Sequence, residues 1–247
     1  GESKVKERIL LMGGPGTGKS TQIIKVYMAL KELGIKMTMI DLEDKLEATM
    51  LGMKVALPSE FHVCLSWEEY VAAVDSIQTK EGEWIAVDRI DLSWPMVQRW
   101  YTKLRYNEEL AQKMVEKAKA MGSKGSTFVP RFDKGSWQPI NEAYESTTLK
   151  LLYRSRCNIL LTSGIRRPGE DEPPSDIFST VNVIPRGQKE LPHQPHSVFL
   201  LTQSRNGREL AWSIQTAKDL PGRELLENTS LNDFFDQYVS NYWRGQA

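Results

Sequence analysis

Residues Gly13-Gly14-Pro15-Gly16-Thr17-Gly18-Lys19-Ser20 match the pattern GxxxxGK[ST] at every fixed position, and Thr21 follows. Glycines let a backbone curl tightly enough for its N–H groups to converge on one anion. A helix beginning near Lys19 would add the positive end of its dipole. Lys19 would then reach the β and γ phosphates of a nucleoside triphosphate, and the Ser20 hydroxyl would ligate Mg2+. The spacing therefore predicts a phosphate site for ATP or GTP with magnesium. A glycine-rich turn arising by chance would not require a strand before it and a helix after it. Both are expected here: Arg8–Met12 is an apolar run, and Thr21–Leu33 has helical periodicity that stops at Gly34.

Magnesium chemistry also needs a carboxylate, and hydrolysis needs a base. Ile85-Ala86-Val87-Asp88 is an apolar strand that ends in an acid, which suits a magnesium ligand acting through the metal's water shell. The plain alternative is a solvated strand end, and Asp91 is the substitute carboxylate. Many P-loop ATPases place a water-polarising Glu directly after this Asp, but here that residue is Arg89. The base is therefore sought at Glu43, in Asp41-Leu42-Glu43-Asp44 at the tip of the second strand, where it could orient the attacking water. The competing reading of those acids is a strand end and helix cap. Neither the loop nor the neighbourhood of Asp88 supplies an evident arginine finger.

The elements that must position these residues alternate. Strands are expected at Arg8–Met12, Ile35–Ile40, Phe61–Leu65 and Trp84–Val87, with helices between them. One helix opens on the capping box Ser66-Trp67-Glu68-Glu69. This order implies right-handed crossovers and an α/β fold with a mostly parallel sheet flanked by helices. Leu92 to Met121 reads as helical and Gly122 to Gly135 as a loop, so residues 92–136 form a helical and loop excursion. Trp137–Arg154 reads as a helix and Asn158–Thr162 as a further core strand. Residues 163–196, with six prolines and the acidic run Glu170-Asp171-Glu172, read as a long and partly disordered loop. Val198–Gln203 and Glu209–Gln215 flank Asn206-Gly207, a hairpin signal, and Leu231–Tyr242 reads as a closing helix. Residues 1–247 are taken as one domain.

In this order of features the chain resembles the RecA-like P-loop ATPases, and among them the small nucleotide-binding proteins encoded by phages. The residues that carry the resemblance are GGPGTGKST, Ile40-Asp41-Leu42-Glu43 and the Trp137 helix leading into Asn158-Ile159-Leu160-Leu161-Thr162. The resemblance covers most of residues 8–220. It implies a RecA-like core with a C-terminal antiparallel hairpin, ATP hydrolysis with Glu43 as the catalytic acid, and a polar sensor at Thr162 and Ser163. It further implies a homo-oligomer in which a neighbouring subunit supplies a cation, here Lys218, with Arg223 as the alternative. DNA, single-stranded or double-stranded, is the implied partner in recombination, repair or replication. It would lie along Lys113, Lys117, Lys119, Lys124, Arg131 and Lys134, with Phe128 and Phe132 among them, and along Arg166, Arg167, Arg186 and Lys189.

Bulk properties narrow the alternatives. The 32 basic and 32 acidic residues cancel, so no global charge argues for nucleic acid. Cys64 and Cys157 lack CxxC spacing and read as buried free thiols. No apolar run nears the roughly 20 residues that span a bilayer, so no membrane partner is expected. Ile9 to Met12 is too short for a signal peptide and runs into the phosphate loop. The expectation is a soluble protein of a reducing compartment, the cytoplasm, or a host cytoplasm if phage-encoded. Two other functions share the phosphate loop: a nucleotide or small-molecule kinase, and a motor subunit for DNA packaging or helicase loading.

Overall fold

The computed structural model describes residues 6–121, 132–154, 156–169, 178–206, 209–220, 226–227 and 229–239. Four parallel strands form its centre: β1 (Arg8–Gly13), β2 (Met37–Asp41), β4 (Trp84–Asp88) and β5 (Asn158–Ser163), every residue of them buried. Continuous burial is what a strand covered on both faces requires, and it explains why these segments read as unbroken apolar runs. β3 (Phe61–Val63) extends the sheet beside β2. On the other side β8 (Ser197–Asn206) runs parallel to β1, and β9 (Glu209–Asp219) returns antiparallel to it, followed by β10 (Thr229–Ser230). The order across the sheet is β10-β9-β8-β1-β5-β4-β2-β3. The hairpin is longer than its sequence signal because β9 keeps pairing as far as Asp219, through a register shift at Val198/Phe199.

Two apolar layers sandwich this sheet. One lies under α1 (Lys19–Glu32) and α2 (Leu46–Gly52) and includes Ile23, Val26, Leu30 and Met50. The other lies under α3 (Trp67–Ser76), α4 (Ser93–Tyr106) and α6 (Lys134–Leu149) and includes Tyr70, Val97, Ile140 and Tyr144. The capping box forms as expected: Glu69 N–H donates to Ser66 Oγ at 3.2 Å, and Ser66 N–H donates to Glu69 Oε2 at 3.0 Å. Cys64 and Cys157 are free and buried.

Several expectations change. The helical stretch 92–121 is two helices, α4 and α5 (Leu110–Met121), because Asn107 takes a left-handed φ of 55° and ends the first. The 163–196 segment is not a loose excursion where it is described. β6 (Ile165–Arg166) pairs with β7 (Ile184–Pro185), and Phe178, Ile184 and Leu191 are buried in the core. Their irregular spacing among prolines matches neither helix nor strand periodicity, which hid them. Glu170-Asp171-Glu172 lies outside the described residues. At the C-terminal end a wide helical turn, Phe235–Val239, takes the place of the expected long helix, and residues 240–242 lie outside the described set. No helix among the described residues is long and apolar enough to cross a membrane.

Candidate functional site

The Gly13–Ser20 loop joins β1 to α1 at the C-terminal end of the central strands. Gly13 must be glycine because of close approach: a Cβ there would lie 2.5 Å from Thr17 Oγ1 and 2.6 Å from the Leu201 carbonyl oxygen. Gly18 caps α1 with a left-handed φ of 87° and offers no side-chain acceptor, so the first-turn N–H groups have no capping partner from it. Lys19 folds back over the loop, donating to the Gly13 carbonyl at 2.8 Å and the Gly14 carbonyl at 2.7 Å. Burial holds its ammonium below the ordinary lysine pKa, and repulsion from Arg89 adds to that effect.

β4 brings Asp88 to the same place. Ser20 Oγ donates to Asp88 Oδ2 at 2.8 Å, and Thr162 Oγ1 on β5 donates to Asp88 Oδ1. Burial raises the Asp88 pKa, and the hydrogen bonds from Thr162 and Ser20 oppose that rise. Asp41, expected only as a strand-end acid, is fully buried and accepts three backbone N–H groups, from Glu43 (2.9 Å), Lys45 (2.8 Å) and Leu46 (2.7 Å). It thus fixes the turn that carries Glu43. Glu43 itself accepts from Arg89 Nη1 at 2.9 Å and from Lys45 Nζ at 2.9 Å. Burial tends to raise its pKa, but Lys45 and Arg89 outweigh burial and leave it below the usual carboxylate range.

Lys19, Ser20 and Glu43 border one cavity of about 800 Å³, and Asp88 lies buried behind Ser20. Gly14 through Ser20, Thr21, Glu43, Lys45, Arg89, Arg186, Trp212, Leu231 and Asn232 are among the residues lining it. Its fixed cations and open α1 N-terminus suit a polyanion. The Ser20 hydroxyl and Asp88 carboxylate, already in contact, form a donor set of the oxygen type that magnesium prefers.

The comparisons agree with this geometry at the level of the fold. The chain aligns with the crystal structure of a KaiC-like protein from the hyperthermophilic archaeon Pyrococcus horikoshii OT3, with a TM-score of 0.51 and 16% identity, covering 91% of this chain and 84% of that one. The fold is RecA-like. At that identity the likeness carries the fold and no residue role. No protein-family profile matches the chain, and no curated protein does.

Within the RecA-like core, residues 14–21 and Glu43 line one space, and Asp88 reaches it only through its contact with Ser20. Thr162 joins them through Asp88, whereas Ser163 Oγ turns away to the Gly164 carbonyl at 2.7 Å. Lys218 is not near this loop. The antiparallel register sets it opposite Val198, which pairs with Leu10, toward the opposite end of β1 from the loop. There its Nζ donates to the carbonyls of His193 (2.9 Å) and Pro195 (2.7 Å). Arg223 lies outside the described residues.

Sequence reasoning missed several lining residues, among them Arg89, Trp212 and Asn232. Arg89 was read only as the absence of a glutamate, yet its guanidinium stands in the cavity wall, so a cation does occur beside Asp88. Trp212 on β9 donates from Nε1 to the Gly16 carbonyl at 3.1 Å, bracing the Gly13–Ser20 loop from the hairpin. Asn232 follows β10. The latter two come from chain about 200 residues beyond the loop, and only the sheet topology brings them there. Of the residues expected to meet DNA, Phe132 is buried in the core and cannot stack on a base, and Lys117 pairs with Asp133 at 2.9 Å. Lys124, Phe128 and Arg131 lie outside the described residues.

Proposed function

We propose that this chain binds ATP with magnesium at the Gly13–Ser20 loop and hydrolyses its terminal phosphate. One observation carries the reading: the start of α1 and the turn after β2 bring Lys19, Ser20 and Glu43 to the wall of a single cavity, and the tip of β4 sets Asp88 directly behind Ser20 and bonded to it. The loop N–H groups and Lys19 would hold the β and γ phosphates. Lys19 would exchange the Gly13 and Gly14 carbonyls for phosphate oxygens. Ser20 and Asp88 would hold magnesium, which supplies charge neutralisation between the phosphates. Glu43 would orient a water and take its proton as the new oxygen–phosphorus bond forms. The bond to the β-phosphate oxygen then breaks, leaving ADP and inorganic phosphate. The base would lie against Trp212 and Leu231, with Asn232 available to hydrogen-bond its edge.

A homo-oligomer is part of the proposal, with Lys218 or Arg223 acting on a neighbour's site. The location of Lys218 away from its own loop supports a role in trans rather than in cis. DNA as the effector, in a phage-type recombination, repair or replication process, is supported by the sequence resemblance and by the basic residues of α5 and of the β6–β7 ribbon. Among the alternatives, a kinase would need an acceptor where Glu43 now stands, paired to two cations. A packaging or loading motor would use the same ATP site. The test is nucleotide binding and phosphate release by wild type and Lys19→Ala. Loss of binding in the variant, with ADP and free phosphate as the only wild-type products, supports ATP hydrolysis. Transfer to an added nucleotide acceptor would overturn it in favour of the kinase.

A further inference from the structure

Arg89 is held in an unusual way for a surface-cavity arginine. Its backbone has a left-handed φ of 63°, a conformation that costs a non-glycine residue of order 1 kcal/mol and persists only where its surroundings impose it. The imposing contact is its own N–H, which donates to Thr162 Oγ1 at 2.8 Å, the same hydroxyl that bonds Asp88. Its guanidinium is forked onto Asp91, with Nε to Oδ1 and Nη2 to Oδ2 both at 3.0 Å, and the Asp91 side chain is only 2% exposed. A bidentate fork on a buried acid fixes the plane of the guanidinium. The third bond, Nη1 to Glu43 Oε1, reaches a carboxylate that is more exposed than Asp91 and sits on a turn. Arginine carries about five N–H donors, so donors remain beyond these three bonds, on a group that lines the cavity.

One partner is thus anchored and the other is movable. Glu43 in this state is a poor base, because two cations share its Oε1. A terminal phosphate entering beside Lys19 would bring more negative charge to Arg89 than Glu43 carries.

We propose that Arg89 reads the terminal phosphate in cis and withholds Glu43 until a triphosphate is bound. The inference rests on the ATP reading above and goes beyond it by giving the nucleotide-free state a defined off position. Asp91 holds the guanidinium still. A phosphate oxygen takes the place of Glu43 at Nη1, and Glu43 is freed toward the attacking water. A diphosphate does not reach Nη1 and leaves the pair closed. Arg89 is here a positioning residue for Glu43 as well as a phosphate ligand.

Two variants should move triphosphate binding in opposite directions. Titrations would use magnesium with ADP, and magnesium with the non-hydrolysable β,γ-imido analogue of ATP. Arg89→Gln should lower the preference for the triphosphate analogue over ADP about tenfold. Arg89→Lys should keep part of that preference. Glu43→Gln should raise it several-fold, because the competing carboxylate is gone while the guanidinium stays. Loss of the fork leaves Asp91 a buried unpaired charge, so Arg89→Gln/Asp91→Asn is measured alongside and should show the same lowered preference. If wild type binds neither nucleotide, the ATP reading falls and the gate with it. If wild type binds both, and neither Arg89→Gln nor Glu43→Gln changes the preference, the gate alone is overturned.

Discussion

Ser20 and Asp88 stand 68 residues apart in sequence and 2.8 Å apart in space, hydroxyl to carboxylate. β5 lies between β1 and β4 in the sheet, so the contact bridges over a strand. Thr162, at the end of that intervening strand, closes the gap by bonding the other Asp88 oxygen. A buried carboxylate satisfied by two neutral hydroxyls is an incomplete arrangement. The charge is desolvated without a full counter-charge, and a divalent ion would complete it.

This imbalance predicts the effect of Asp88→Asn. The Asp88 pKa is raised in the folded state, so its contribution to stability is present below the unfolded carboxylate pKa and lost as pH rises through the folded value. At neutral pH the ionised group is a cost to the metal-free protein. Asp88→Asn should therefore melt at the same temperature as wild type or higher without magnesium, a change of about 1 kcal/mol or less. It should also lose the magnesium dependence of nucleotide binding. Thermal melts with and without magnesium and nucleotide give the answer, and a variant that is markedly less stable in the metal-free state would contradict the account.

Glu43 behaves in the opposite sense. Its pKa is depressed, so its ionised form and the stabilisation from Lys45 and Arg89 are present above the unfolded carboxylate pKa and are lost as pH falls through the lower folded value. In the nucleotide-free protein this stabilisation should persist as pH falls through the ordinary glutamate range. Glu43→Gln should bind ATP yet hydrolyse it about 100-fold to 10,000-fold more slowly. A rate within a few-fold of wild type would move the base elsewhere.

The glycines of the loop are not equivalent. Gly13→Ala places a Cβ within 2.6 Å of both Thr17 Oγ1 and the Leu201 carbonyl, and backbone on β8 cannot yield cheaply. It should destabilise the fold by about 1–3 kcal/mol and weaken nucleotide binding. Gly14→Ala meets nothing nearer than 4.0 Å and should be close to neutral in a denaturant melt. Equal effects at the two positions would refute the packing argument.

The sheet and the positions of the Gly13–Ser20 loop, Asp88 and Glu43 were legible because each is written in contiguous residues. A buried strand is a run, a phosphate loop is a spacing, and a strand-tip acid follows its strand. Arg89 was visible but misjudged, since nothing in one dimension shows that Thr162 turns its backbone and Asp91 aims its guanidinium. Trp212 and Asn232 were illegible for another reason. Their role depends on β8 pairing with β1, and pairing between strands almost 200 residues apart leaves no local pattern. The order in 178–193 was hidden by prolines that punctuate an apolar segment with no period.

The bracing of the loop by the hairpin can be tested at Trp212. Its indole donates to the Gly16 carbonyl and lies 3.7 Å from where a Gly18 Cβ would be. Trp212→Phe keeps the apolar face and removes the donor. It should weaken nucleotide binding only several-fold, whereas Trp212→Ala should weaken it tenfold or more, losing the platform for the base as well. The fluorescence change on adding nucleotide, present in wild type and reduced in both variants, reports the same contact. Unaltered affinity in Trp212→Ala would remove Trp212 from the site.

The oligomeric reading predicts complementation between inactive protomers. Charge gathers on the transferred phosphate during hydrolysis and needs a nearby cation. Lys218 cannot meet its own phosphate loop, because the register sets it toward the other end of β1. If it acts on a neighbour, it must exchange the carbonyls of His193 and Pro195 for that phosphate, and the partial burial that lowers its pKa already weakens its hold on a proton. Lys218→Ala and Glu43→Gln should each be inactive alone. Mixed, they should recover part of the activity, since some interfaces then set an intact Glu43 against an intact Lys218. Loss of the two carbonyl bonds is a local cost of about 1–2 kcal/mol, which a thermal melt of Lys218→Ala will separate from catalysis. If Lys218→Ala and Arg223→Ala both hydrolyse ATP normally, no cation is needed from a neighbour. The developing charge would then fall to Lys19 and Arg89, already in the cavity wall, and the site would be complete within one chain.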